Sequence, residues 1–126
     1  MNANLKEYIR LCSIPTVQEK IRERMGKIQL DDLVIVPCND TPTRVTCVCE
    51  LCTPYNSIRL PQAIDLMDEK RGLWGWLDWL NWLIDVDGEN HITLSEIGTN
   101  FKAEGTPELA LLRALMWQWG IEEVKG

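Results

Sequence analysis

Apolar residues recur at helical spacing near the N-terminus. Leu5, Tyr8, Ile9 and Cys12 share one face, with Asn4 placed as an N-cap. Pro15 interrupts this stripe. Ser13 is suited to cap a second piece with Pro15 inside its start, and Val17, Ile21 and Met25 carry the stripe to a stop at Gly26. The spacing predicts two helical pieces within Asn4 to Met25.

The period then shortens. Ile28, Leu30 and the run Leu33-Val34-Ile35-Val36, closed by Pro37, read as a short buried strand. Asn39-Asp40-Thr41-Pro42 is turn chemistry. From Arg44 to Leu51 the chain alternates, with Val45, Cys47, Cys49 and Leu51 on one face and Arg44, Thr46, Val48 and Glu50 on the other. A hairpin across Pro37 to Pro42 fits this pattern. After a turn at Thr53-Pro54-Tyr55-Asn56, Ser57 to Leu60 predicts a short strand ended by Pro61, and Pro61 to Lys70 reads as a polar connector.

Gly72 to Asp85 is rich in tryptophan. Wound as a helix, it places Leu73, Trp76, Leu77, Leu80, Leu83 and Ile84 on one face, flanked by Trp79 and Trp82, and leaves Asp78, Asn81 and Asp85 as a narrow polar stripe. Asp87-Gly88-Glu89-Asn90, His91 to Ile97, Gly98-Thr99-Asn100 and Phe101 to Glu104 follow. Thr106 as N-cap with Pro107 in the first helical position starts a final helix, whose Leu109, Leu112, Leu115 and Met116 run at helical spacing to a stop at Gly120.

Composition narrows the class. A chain of 126 residues with 45% apolar content is one domain with material for a core, which excludes disorder and removes the need for a metal or disulfide staple. Nineteen acidic against 13 basic residues give a net charge of −6, which argues against duplex nucleic acid as a partner. The first ten residues carry no apolar leader. Leu73 to Ile84, the longest apolar stretch, is broken by Asp78 and Asn81 and is too short to span a bilayer. The expectation is a soluble, cytoplasmic protein without membrane contact. Five cysteines, Cys12, Cys38, Cys47, Cys49 and Cys52, are an odd number and point to reduced thiols.

Residues 85–96, DVDGENHITLSE, match a calcium loop of EF-hand type, which sets oxygen ligands at alternate positions and a carboxylate at the twelfth. Asp85, Asp87, Glu89 and Glu96 are the candidate ligands, joined by Thr93. Asn90 stands where the loop wants glycine, and no second loop exists to pair with it. The same residues also read as a hairpin, with Leu83 to Val86 or the Trp-rich helix turning at Asp87-Gly88 into a strand from His91 to Ile97. Cys38, Cys47, Cys49 and Cys52 supply four thiols, and Cys49-x-x-Cys52 has the spacing of a zinc knuckle. Cys47 and Cys49 also suit the core face of a strand, where free cysteine packs as a small hydrophobe. With His91 the sole histidine, a histidine-based triad is unavailable, and no phosphate loop or dinucleotide fingerprint is present.

Six tryptophans stand against one phenylalanine and two tyrosines. Trp74, Trp79 and Trp82 form a candidate stacking surface for a base or sugar, with Arg59, Arg71 or Arg113 to clamp phosphate. The alternative use of these indoles is core and subunit interface, which implies a homo-oligomer.

Two stretches carry a resemblance. Glu7 to Lys20, EYIRLCSIPTVQEK, is similar to the opening EYIxLCxxPxxQ of small uncharacterised proteins encoded by phages and prophages of Firmicutes. Phe101 to Gly120, FKAEGTPELALLRALMWQWG, resembles their ending, a strand followed by a Thr-Pro-capped helix. Ser57 to Gln62, SIRLPQ, resembles their xIWLPxQ element more weakly. The resemblance implies an α/β fold and a phage origin, favours strand over calcium loop at Phe101 to Glu104, and assigns no activity or catalytic residue.

The expected fold is a single α+β domain over residues 1–126: an N-terminal helical segment, an antiparallel sheet, a Trp-rich segment and a C-terminal helix packed on the sheet. The expected function is that of a non-enzymatic phage accessory protein in the cytoplasm of an infected cell. It would act by sequestering a small nucleotide immune signal, or as an acidic inhibitor of a host defence nuclease. A calcium- or zinc-dependent structural module is the third possibility; no other cofactor is expected.

Overall fold

The computed structural model describes residues 3–26, 32–35, 42–45, 58–61 and 76–122. Ile28, Leu30, the turns at 39–41 and 53–56, the strand beyond Val45, the connector from 62 to 70 and residues 71–75 lie outside them. The fold is α+β: three helices and two antiparallel three-stranded sheets.

The N-terminal pattern forms two helices, α1 (Ala3–Cys12) and α2 (Pro15–Met25). Tyr8, Leu11 and Cys12 are the buried face of α1, and Val17 and Ile21 that of α2. Both expected caps are displaced. Ala3, a strong helix former, already belongs to α1, so Asn4 sits inside the helix rather than capping it. Ile14 holds the N-cap position of α2 with Pro15 behind it, while the Ser13 hydroxyl donates to the Ile9 carbonyl at 2.6 Å and so closes α1. Gly26 stops α2 in the left-handed region at φ +70°, its N–H donating to the Arg22 carbonyl.

The first sheet has the order β2 (Thr43–Arg44), β1 (Leu33–Ile35), β3 (Ile58–Arg59). Leu33 faces Arg44, and Val34 faces Thr43 on one side and Arg59 on the other. Val34 is buried, as is Ile35, whose side chain points to the opposite face. That is why the run reads as continuously apolar rather than alternating. The edge of β3 is closed by a side chain. Gln18 donates from Nε2 to the Arg59 carbonyl at 3.0 Å and accepts the Arg59 N–H on Oε1 at 3.1 Å, standing in for a fourth strand.

The second sheet is a meander of β4 (Trp82–Gly88), β5 (His91–Glu96) and β6 (Lys102–Gly105). The Trp-rich segment is thus not a helix through Asp85. Residues 79–81 make one short 3-10 turn, and from Trp82 the chain is extended and paired with β5, Trp82 against Glu96 through Val86 against Ile92. The helical face drawn from Leu73 to Ile84 divides accordingly. Trp76 and Leu77 are buried, whereas Leu80 is 89% and Leu83 62% exposed. Gly105 ends β6 at φ +141°, and a Cβ there would lie 3.4 Å from Leu109 Cδ2.

The final helix, α3 (Pro107–Trp119), starts at Thr106 and stops at the left-handed Gly120, as its boundary residues predict. It is buried more completely than one stripe implies: Ala110, Leu111 and Ala114 join Leu109, Leu112, Leu115 and Met116 in the interior. The reason is its position. It packs against β5 and β6 on one side and α1 on the other, so the core is built around it. Among the described residues, no helix is long and apolar enough to cross a membrane.

Candidate functional site

Of the described tryptophans, Trp76 and Trp82 are buried, Trp79 and Trp119 are half-buried, and Trp117 is exposed. Trp82, 4% exposed, meets Phe101 edge to face at 5.9 Å, and Phe101 stacks on Trp117 at 4.3 Å with the rings 12° apart. Trp76 lies 6.4 Å from Trp119, and Trp79 is half-buried against the core. These contacts join the base of the β4–β5 hairpin to the last turns of α3. Gln118 reinforces the join: its Oε1 accepts the Asp78 N–H at 2.9 Å, and its Nε2 donates to the Trp76 carbonyl at 3.3 Å. The Trp117 indole N–H donates to the Glu96 carboxylate, and the ring remains 48% exposed.

Among the described residues, the expected ligand set does not assemble as drawn. Arg59 is 2% exposed and committed inside the fold. Its Nη2 donates to Asp32 Oδ2 at 2.8 Å and its Nη1 to the Gly26 carbonyl; Nε is buried without a hydrogen-bond partner. Burial pushes the Arg59 pKa down, yet the guanidinium remains the charged half of an internal ion pair. Arg113 lies on α3 with its side chain 30% exposed and 3.5 Å from Glu7. A hydrogen bond from Arg10 and the charges of Arg10 and Arg113 hold the Glu7 carboxyl below its usual range, outweighing partial desolvation. Trp79 and Trp82 belong to the aromatic seam, while Trp74 and Arg71 lie outside the described residues.

Arg113 instead joins a different aromatic pair. A groove of about 470 Å³ runs between β6 and the C-terminal half of α3. Its walls are Phe101, Lys102, Glu104, Arg113, Met116 and Trp117. It combines an exposed indole, an apolar floor and a balanced set of charges, Lys102 and Arg113 against Glu104 and Glu122, which suits a flat molecule of low net charge. A second cavity, of about 380 Å³, opens between α1, the first sheet and the start of α3, lined by Leu5, Tyr8, Arg44, Asn90 and Glu108 among others. The Tyr8 hydroxyl is not free within it, because it donates to the Pro61 carbonyl.

Residues 85–96 adopt the hairpin conformation. Asp85 pairs with Thr93, and Asp87 accepts from the Thr93 hydroxyl at 2.7 Å and lies 3.3 Å from His91 Nδ1. Glu96 pairs with Trp82, so strand alternation sends its carboxylate to the face opposite Asp85. Glu89 is in the turn. The four carboxylates therefore do not converge, and among the described residues no group of three or more His, Cys, Asp or Glu is placed to hold a metal. Cys38, Cys47, Cys49 and Cys52 lie outside the described residues. Cys12 is fully buried, and burial raises its thiol pKa far above the usual range, so it sits in the core as an apolar side chain.

Sequence reasoning missed Gln18, Gln118 and the Trp117–Phe101 stack. Gln18 closes the EYIxLCxxPxxQ stretch and donates locally to the Cys12 carbonyl at 2.7 Å, but its strand-edge role, like that of Gln118, is set by backbone about 40 residues away. The stack had one: both aromatics lie in the stretch 101–117 that closes the chain. Comparison with protein-family models, with curated proteins and with solved structures finds no match.

Proposed function

We propose that the protein acts by binding, as a phage accessory protein that sequesters a small nucleotide-like immune signal of the host. The β6–α3 groove supports this reading, because it sets Lys102 and Arg113 beside the stacked Phe101 and Trp117. An aromatic base would lie against the exposed part of the Trp117 indole, where stacking contributes about 1–3 kcal/mol per base. The phosphate would sit between the two cations, Lys102 and Arg113. Glu104 and Glu122, in the same lining, would disfavour a fully charged polyphosphate and favour a ligand of modest charge.

Titration calorimetry and tryptophan fluorescence with a panel of cyclic mono- and dinucleotides test the reading. The expected result is a saturable signal with one of them, lost in W117A and weakened in K102A and R113A. A flat titration with every ligand overturns it.

A further inference from the structure

The two sheets treat their edges differently. The β3 edge of the first sheet is closed by the Gln18 amide. The β4 edge of the second sheet is open: among the described residues, the backbone of 83–88 makes hydrogen bonds only with β5. The helical layer also stops short of this strand. Ile92 and Leu94 on β5 are 4% and 0% exposed, while Val86 and Ile84, directly opposite them on the same face, are 66% and 42% exposed. Leu83 on the outer face and Leu80 just before the strand add to the uncovered apolar surface. A seven-residue strand with four apolar residues and a free edge is a template for pairing with another strand.

We infer that β4 pairs antiparallel with β4 of a second copy, joining two three-stranded sheets into one continuous sheet. The order of residues along the strand lets it face a second copy of itself without opposing like charges. A two-fold axis through Ile84 sets Ile84 against the partner's Ile84, Leu83 against the partner's Asp85, and Trp82 against the partner's Val86. No like charges are opposed, and the apolar side chains of both strands form one row on the face shared with α3. An axis through Asp85 would oppose two carboxylates, and one through Val86 would oppose Asp85 to the partner's Asp87. An axis through Leu83 also opposes no like charges but pairs only Trp82 to Ile84 of each strand, whereas the axis through Ile84 pairs Trp82 to Val86, so the strand is most self-complementary there, as an isologous interface requires. Self-association of a chain with net charge −6 strengthens as salt rises, whereas capture of a basic peptide by the same acidic edge weakens.

Sedimentation equilibrium on the full chain at tens of micromolar is the test. The expected mass is twice 14.5 kDa, with dimerisation enhanced by added salt. I84K, which places like charges face to face on the axis, weakens dimerisation by roughly tenfold or more. L83K sets a lysine against the partner's Asp85 and so keeps or tightens the dimer at low salt. Circular dichroism of both variants checks that the monomer fold persists, which the exposure of both positions favours. A monomeric wild type overturns the inference, whether or not an added basic peptide then occupies β4. So does a dimer indifferent to I84K, or one lost in L83K.

Discussion

The indole nitrogen of Trp117 donates to the Glu96 carboxylate at 3.1 Å. This contact ties the last turn of α3 to the end of β5, beside the stack of Trp117 on Phe101. The bond is solvent-accessible, so it belongs at the low end for a charge-assisted pair. W117F, which keeps a ring on Phe101 but removes the donor, is expected to cost about 0.5–1.5 kcal/mol in denaturant unfolding, and E96A about the same. A double-mutant cycle isolates the pair, with a coupling of about 0.5 kcal/mol or more expected if the bond forms in solution.

The same geometry bears on calcium. Glu96 is engaged by Trp117 and projects from the face opposite Asp85, so the carboxylates of 85–96 share no coordination sphere. Added calcium is expected to leave the melting temperature unchanged, because an ion bound to the folded state alone would raise it by mass action. A calcium-dependent rise, abolished by D85N, would show that the hairpin gives way to a loop.

Much of the fold was legible for reasons that particular residues make plain. Pro107 and Gly120 bracket α3 with opposite backbone preferences, and Pro15 and Gly26 do the same for α2. The Trp-rich segment was not legible, because it satisfies two periods. Asp78, Asn81 and Asp85 are spaced like one stripe of a helix, while Trp82, Ile84 and Val86 alternate with Leu83 and Asp85 like a strand. Only the cross-strand partners, Ile92 and Leu94, decide between them, and local pattern does not contain them. The site was less legible than the fold. Arg59 looked like a phosphate clamp because nothing local announces its partner, Asp32, which lies 27 residues earlier.

That partner makes Arg59 a structural strut with a measurable cost of removal. Both side chains of the pair are almost fully buried, and Arg59 also ties the pair to the Gly26 carbonyl at the end of α2. Truncating one member leaves an uncompensated internal charge. R59A or D32A is expected to lose about 3–5 kcal/mol of stability, and with that a large part of the folded population. Replacing both by apolar residues of similar volume, as in D32L/R59M, is expected to recover most of the loss. Urea unfolding of the three variants checks the order. Because the pair is shielded from solvent, the loss from either single variant should vary little with ionic strength.

Tyr8 and Cys12 set the behaviour at high pH. Both are fully buried on α1, and desolvation raises both well above the ordinary phenol and thiol values of about 10 and 9; for Cys12 a hydrogen bond with Tyr8 offsets this only in part. Each group therefore keeps its proton in the folded chain at a pH where the unfolded chain has lost it. The unfolded state then binds fewer protons, so stability is intact below pH 9 and falls as pH rises above it. The slope approaches about 1.4 kcal/mol per pH unit for each such group once the unfolded chain has ionised. Y8F separates two contributions. Losing the hydroxyl that donates to the Pro61 carbonyl should lower stability by about 1 kcal/mol at neutral pH. Losing the ionisable phenol should make the decline above pH 10 shallower than in the wild type. Denaturant unfolding between neutral pH and pH 11 reads both effects, and parallel wild-type and Y8F curves above pH 10 would show that Tyr8 is not held protonated by the core.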